Sequence, residues 1–157
     1  MTDKPHQLSI ELVPASAYGR NVREILTKTQ WSIISKQVRS AAYDTCEICH
    51  SQDGQLDCHE IWFYNDNILT QKLIGLIALC KKCHGVKHFG LSELQGKRKE
   101  TLLHFMKINN LSQIDAEKAI HKSFEIWEKR SQFQWKLDIS KLKDYGIDIA
   151  KIQCKVK

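Results

Sequence analysis

The chain has 157 residues, 42% of them hydrophobic, and a formal charge of +6 with a pI near 9.0. That length supports a single domain, 1–157, with a modest apolar core, and the charge suits a polyanionic partner without demanding one. No apolar run approaches the length of a membrane span and residues 1–5 open no apolar leader, so the expectation is a cytoplasmic protein without membrane contact whose six cysteines are reduced.

In chain order, residues 8–13 alternate apolar and polar side chains up to Pro14, the pattern of a short strand or an extended arm. Over residues 32–42, Ile33, Ile34, Val38, Ala41 and Ala42 recur at helical spacing opposite Lys36, Gln37 and Arg39, which predicts an amphipathic helix. Asp53-Gly54 is a turn signal, and residues 55–61 read as a strand with Leu56, Cys58 and Glu60 on one face and Asp57, His59 and Ile61 on the other. Residues 64–71 are polar enough for a loop. The apolar run over 76–79 is expected as a buried second strand, and residues 82–89 as a short helix stopped by Gly90.

Beyond Gly90 the pattern is helical. Ser92 is a candidate cap for a helix with Leu94, Leu102, Phe105 and Met106 on its apolar face, although Gly96 weakens the first turn. Ser112 and Asp115 resemble a capping box, and Ala116, Ala119, Ile120, Phe124 and Trp127 then repeat at three and four as a core stripe. Residues 135–139 look extended, and Ser140 starts a last short helix that Gly146 ends. The fold class expected is α+β. Its segments are an arm and helix over 1–44, a metal-stapled unit over 45–90 and a helical region over 91–157. The last offers surface for a second copy or a protein partner.

Two Cys-x-x-Cys pairs, Cys46 with Cys49 and Cys80 with Cys83, carry the strongest chemical signal. Each short loop can aim two sulfurs at one ion, so the four thiolates predict a tetrahedral structural zinc that ties together the ends of segment 50–79. Cys58 and Cys154 remain as free thiols. His84 and His88 fall on one face of a helix and can share an ion. His84 follows Cys83 directly, too close for one two-Cys two-His finger, so two separate sites fit better. His59, on the strand that the zinc pins beside this helix, can complete a three-histidine site with open positions.

The order Cys-x-x-Cys, Cys58-His59-Glu60-Ile61, an apolar strand and Leu79-Cys80-x-x-Cys83-His84-x-x-x-His88 resembles the zinc-knuckle HNH (ββα-metal) endonucleases. The resemblance covers 45–90. It implies a ββα-metal core with helices before and after it, a structural zinc, and hydrolysis of phosphodiester bonds assisted by Mg, Mn, Ni or Zn. His59, His84 and His88 match the family's metal ligands, with His59 and His84 as catalytic residues. Glu60 stands where the family has its base histidine, and Gly75 where it has the Asn that orients the base. As a weaker base than imidazole, the Glu60 carboxylate would serve at lower efficiency; Asn65, Asp66 or Asn67 could orient it. Should Glu60 turn onto the metal instead, the shell closes and becomes structural.

The partner this implies is nucleic acid, DNA ahead of RNA, with Lys81, Lys82, Lys87, Lys97, Arg98 and Lys99 neutralising phosphates. Trp62 and Tyr64 could stack on bases but are expected to pack over the zinc core. Two other readings stand beside the nuclease: an inactive zinc module that binds nucleic acid or protein, and an iron–sulfur protein using the same four thiolates.

Overall fold

A computed structural model describes residues 7–153 of the chain as an α+β fold built around a three-stranded sheet. Strand β1 (Asp57–Asn65) pairs antiparallel with β2 (Thr70–Leu79), and β3 (Lys136–Asp138) joins the far edge of β2 in parallel. Helix α1 (Val22–Ile25) and helix α2 (Lys28–Ala41) precede the sheet. Helices α3 (Lys81–Lys87), α4 (Phe89–Leu94), α5 (Arg98–Asn109) and α6 (Gln113–Arg130) follow β2, and α7 (Ile149–Gln153) comes last.

The arm is extended and pairs in no ladder: Leu8 exchanges hydrogen bonds with the Asn109 amide, and the Glu11 N–H donates to the Lys87 carbonyl. Helix α2 begins ahead of the expected residue 32, because Thr27 and Gln30 form a capping box. Ile34 and Val38 face the core as expected, whereas Ile33 is exposed.

Both strands run into the expected loop 64–71, half of which is strand. Tyr64 pairs with Gln71 and Asn65 with Thr70, leaving only 66–69 as the turn. Tyr64 and Asn65 lie on the edge strand β1, Gln71 on the central strand is buried and donates its amide to the Tyr64 hydroxyl, and the Asn65 carboxamide oxygen accepts the N–H groups of Asn67 and Ile68 to close the turn. A bulge between Ile61 and Trp62 shifts the register, so Ile61 pairs with Gly75 and Trp62 with Leu73.

Gly90 does not stop a helix. Helix α3 ends at Lys87, His88 leaves helical geometry, and Gly90 lies inside α4, where Leu12 and Phe124 close over it. Nor does Ser92 cap α5. It is buried within α4, donating to the Gly85 carbonyl at 2.9 Å, and Gly96 at φ +73° makes the break before α5. Leu94, expected in the core, is exposed, while Phe105 is buried with Leu102 and Met106 beside it. Helix α6 starts at the Ser112 cap and buries Ala116 and Ile120 as expected. One apolar cluster runs from Leu8 to Ile152 and includes Cys46, Cys80 and Cys83, so the cysteine unit shares its core with the helices around it. Among the described residues no helix is long and apolar enough to cross a membrane.

Candidate metal centres

The cysteine loops are shaped before any ion is considered. In the first, the Cys46 N–H donates to the Ser51 carbonyl, the His50 N–H to the Cys46 carbonyl, and His50 takes a left-handed φ of 59°. Its Glu47 is stitched to the end of β2, accepting the Ala78 N–H on its carboxylate and donating its own N–H to the Ala78 carbonyl. In the second, Cys80 caps α3 and its sulfur accepts the Cys83 N–H at 3.4 Å.

The four sulfurs lie within 4.8 Å of one another, with Cys49 and Cys80 3.6 Å apart. Zinc–sulfur bonds of roughly 2.3 Å in a tetrahedron place sulfurs about 3.8 Å apart, so the tetrad fits a structural metal such as zinc. Burial would raise the Cys46 thiol, but backbone N–H groups at Cys80, Cys49 and Ile48 bring it down to about 7. Burial and the other sulfurs push Cys83 up. The His104 ring on α5 reaches the Cys83 sulfur at 3.2 Å, a contact absent from the sequence reading. Cys58 stands apart, pushed up to about 12 by burial; Cys154 lies outside the described residues.

Strand β1 and helix α3 bring three histidines together. One ring nitrogen from each of His59, His84 and His88 lies within 4.8 Å of the others, and the ring centroids are 4.7 to 5.3 Å apart. His59 Nε2 meets Glu11 Oε2 at 2.9 Å, and His84 Nδ1 meets Asp57 Oδ2 at 2.8 Å. Each carboxylate fixes its imidazole's tautomer by accepting one N–H and leaves the other nitrogen, Nδ1 of His59 and Nε2 of His84, with a lone pair for an ion. Burial, then the neighbouring imidazoles, lowers His84 and brings His88 down to about 4. Neutral rings are the form that binds metal.

The carboxylates are held by their imidazole partners and by lysine ammonium groups in turn. Burial opposes ionisation of Glu11 and Asp57, yet His59 and Lys87 around Glu11, and Lys81 and His84 around Asp57, keep both below the ordinary carboxyl range. Glu60 differs. Its oxygens accept the Val22 N–H at 2.7 Å and the Trp62 indole N–H at 3.0 Å, and burial outweighs these donors and raises its pKa. Asn65 and Asp66 are engaged away from Glu60, Asn65 in the turn and Asp66 in a two-pronged bond to Arg130. Gly75 pairs with Ile61 inside the sheet.

Two clefts open at the histidines. A groove of 630 Å³ runs past Asp57, His84 and His88 and is lined by Lys81, Lys82 and Lys97, as the charge pattern suggests, with His104 and Lys107 added. Lys97, His104 and Lys107 recur at roughly helical spacing, a polar stripe that could have revealed this face. Lys87 is a correction: it is buried, and its ammonium bonds Glu11 and Ser9 instead of facing the groove. Arg98 is turned to Glu93 and Glu117, and Lys99, though exposed, is not among the groove's lining residues. A second cleft, of 350 Å³, reaches from His59, His84 and His88 to Trp31, Trp62 and Trp127. Tyr64 also borders it, but packs edge-on against Trp135 with Arg130 over its ring.

Comparison with models of known protein families, with curated proteins and with solved structures finds no match to this chain.

Proposed function

We propose that the protein is a metal-dependent nuclease of the HNH type, hydrolysing phosphodiester bonds of nucleic acid with a zinc on Cys46, Cys49, Cys80 and Cys83 and a divalent metal on His59, His84 and His88. The observation that carries this reading is the convergence of His59, His84 and His88, the last two of which line a lysine-bearing groove. Four cysteines suffice for a structural zinc; a second ligand set of three histidines leaves room for substrate. Bound there, a divalent ion would supply Lewis-acid stabilisation of charge on a phosphodiester.

The protein's own residues have separable tasks. Glu11 and Asp57 fix the histidine rings. Lys81, Lys82, Lys97 and Lys107 attract and neutralise the phosphates flanking the reacting one, which makes binding depend on salt. Glu60 takes the proton from the attacking water. Its pKa is shifted upward, the direction a general base at neutral pH needs. Gly75 cannot orient this base, but the Val22, Arg23 and Trp62 N–H groups hold the carboxylate, and one of its four acceptor sites is left for a proton.

Those same donors favour a second reading, in which Glu60 merely fastens α1 to the sheet and the protein binds nucleic acid without cutting it. The deciding experiment incubates wild type and His84→Ala with plasmid DNA, single-stranded DNA and RNA in magnesium, manganese, nickel or zinc. Cleavage by the wild type that is lost in His84→Ala supports the nuclease. Binding without cleavage in every metal supports the second reading.

A further inference from the structure

Three of the chain's four tryptophans, Trp31 on α2, Trp62 on β1 and Trp127 on α6, come from separate elements to line the 350 Å³ cleft that ends at His59, His84 and His88. The fourth, Trp135, is 3% exposed and shows what a core tryptophan looks like in this fold, whereas the other three are only partly buried. Two of their rings are fixed by indole hydrogen bonds, Trp62 to Glu60 and Trp127 to the Val13 carbonyl at 2.9 Å. Arg23 also borders the cleft, exposed and with no acceptor among the described residues.

We infer that this cleft is a subsite for an unpaired nucleobase of the strand whose phosphodiester lies at the histidines, so that the protein selects single-stranded or locally unpaired nucleic acid. The inference rests on the proposed reading of the histidine site. Its volume is near the lower end of the ~300–1,000 Å³ typical of small-ligand pockets, room for a base or nucleoside but not a duplex. A base inside a duplex is already stacked on its neighbours and has no face to offer, while a splayed base stacks on an aromatic ring whatever its sequence. Arg23 supplies a cation for the strand's next phosphate, and the lysine groove, which meets the cleft at His84 and His88, continues the backbone path.

The test titrates the full chain, kept in EDTA so that nothing is cut, with a short single-stranded DNA and with its duplex, following tryptophan fluorescence. The single strand is expected to quench the signal and to bind the more tightly. Trp31→Ala should weaken single-strand binding about 5- to 150-fold, the worth of stacking one base, and leave duplex binding within about threefold. Trp31→Phe, which keeps an aromatic face, should retain most of the affinity. Equal loss for single strand and duplex overturns the subsite, as does no loss at all. Quenching by an aromatic peptide that matches the oligonucleotide assigns the cleft to a protein partner and overturns it too. Selective single-strand binding without cleavage in any metal leaves the subsite standing and removes the nuclease. Cleavage with unchanged Trp31→Ala affinity removes the subsite alone.

Discussion

Glu11 Oε2 stands 2.9 Å from His59 Nε2, although Glu11 belongs to the N-terminal arm and His59 to the edge strand of the sheet. The other Glu11 oxygen is 2.6 Å from the Lys87 ammonium, whose side chain is only 7% exposed. One carboxylate therefore ties the arm, β1 and α3 into a single unit around the histidines. The arm is part of the site's frame.

The first prediction concerns that tie. Glu11→Ala leaves Lys87 buried with only Ser9 to bond, and breaking a buried charge pair in this way should cost about 3 kcal/mol. Glu11→Ala combined with Lys87→Met should cost less than the two single changes added, because the pair interacts. Urea unfolding of the four proteins measures this. Strict additivity would show that the two side chains do not support each other.

The second is a pH dependence of the protein freed of metal at the histidines. Glu11 and Asp57 have folded pKa values below their ordinary ones, and His88 falls from 6.5 to about 4. For each, the unfolded chain binds protons more readily than the folded one, so stability is complete above the unfolded value and declines as pH falls through the folded value. The His88 contribution should therefore fade between pH 6.5 and about 4, and the carboxylates should add to the loss below that. His88→Gln should shrink the upper part of the decline and leave the share of His84, which burial also lowers. An unfolding midpoint that stays flat from pH 7 to 4 contradicts the assignment.

The third separates the two centres by chelation. Four thiolates in a buried tetrad should hold zinc against EDTA, whereas an ion on three histidines beside an open groove should exchange quickly. Metal analysis should find more than one ion per chain before brief EDTA treatment and one zinc after it. Cys83→Ser should lose that zinc and with it cooperative unfolding. Iron in place of zinc would sink the assignment of the tetrad.

These centres were legible in the sequence to different degrees, for physical reasons. Cys-x-x-Cys loops and histidines four apart are local geometry, so Cys46 with Cys49, Cys80 with Cys83 and His84 with His88 can each be paired from spacing alone. Glu11 could not be, because the bond to His59 spans residues far apart and a glutamate in an alternating arm looks solvated. Lys87 sits in a lysine-rich helix, and only the arm folding over it turns it from a surface charge into a buried one. The strand ends around Tyr64 and Gln71 do not show in the pattern, because Tyr64 lies on an edge strand that tolerates polar residues and Gln71, on the central strand, is a polar side chain buried against the Tyr64 hydroxyl. Gly90 was misread because glycine serves close packing as well as helix ends, and here it lies under Leu12 and Phe124.

The last prediction bears on Glu60. Glu60→Gln keeps one oxygen and replaces the other by a donor facing an N–H, so either Val22 or Trp62 loses its acceptor at a cost of about 1–3 kcal/mol. That loss is expected in either role. Cleavage distinguishes them: as the base, Glu60 should carry about 10²–10⁴-fold of the rate, so Glu60→Gln should be nearly inactive at a temperature where it remains folded. Trp62→Phe removes only the indole donor and should reduce cleavage far less, because the Val22 N–H still holds the carboxylate. If Glu60→Gln cuts as fast as wild type per folded molecule, Glu60 is a fastening for α1 and the proton leaves by another group.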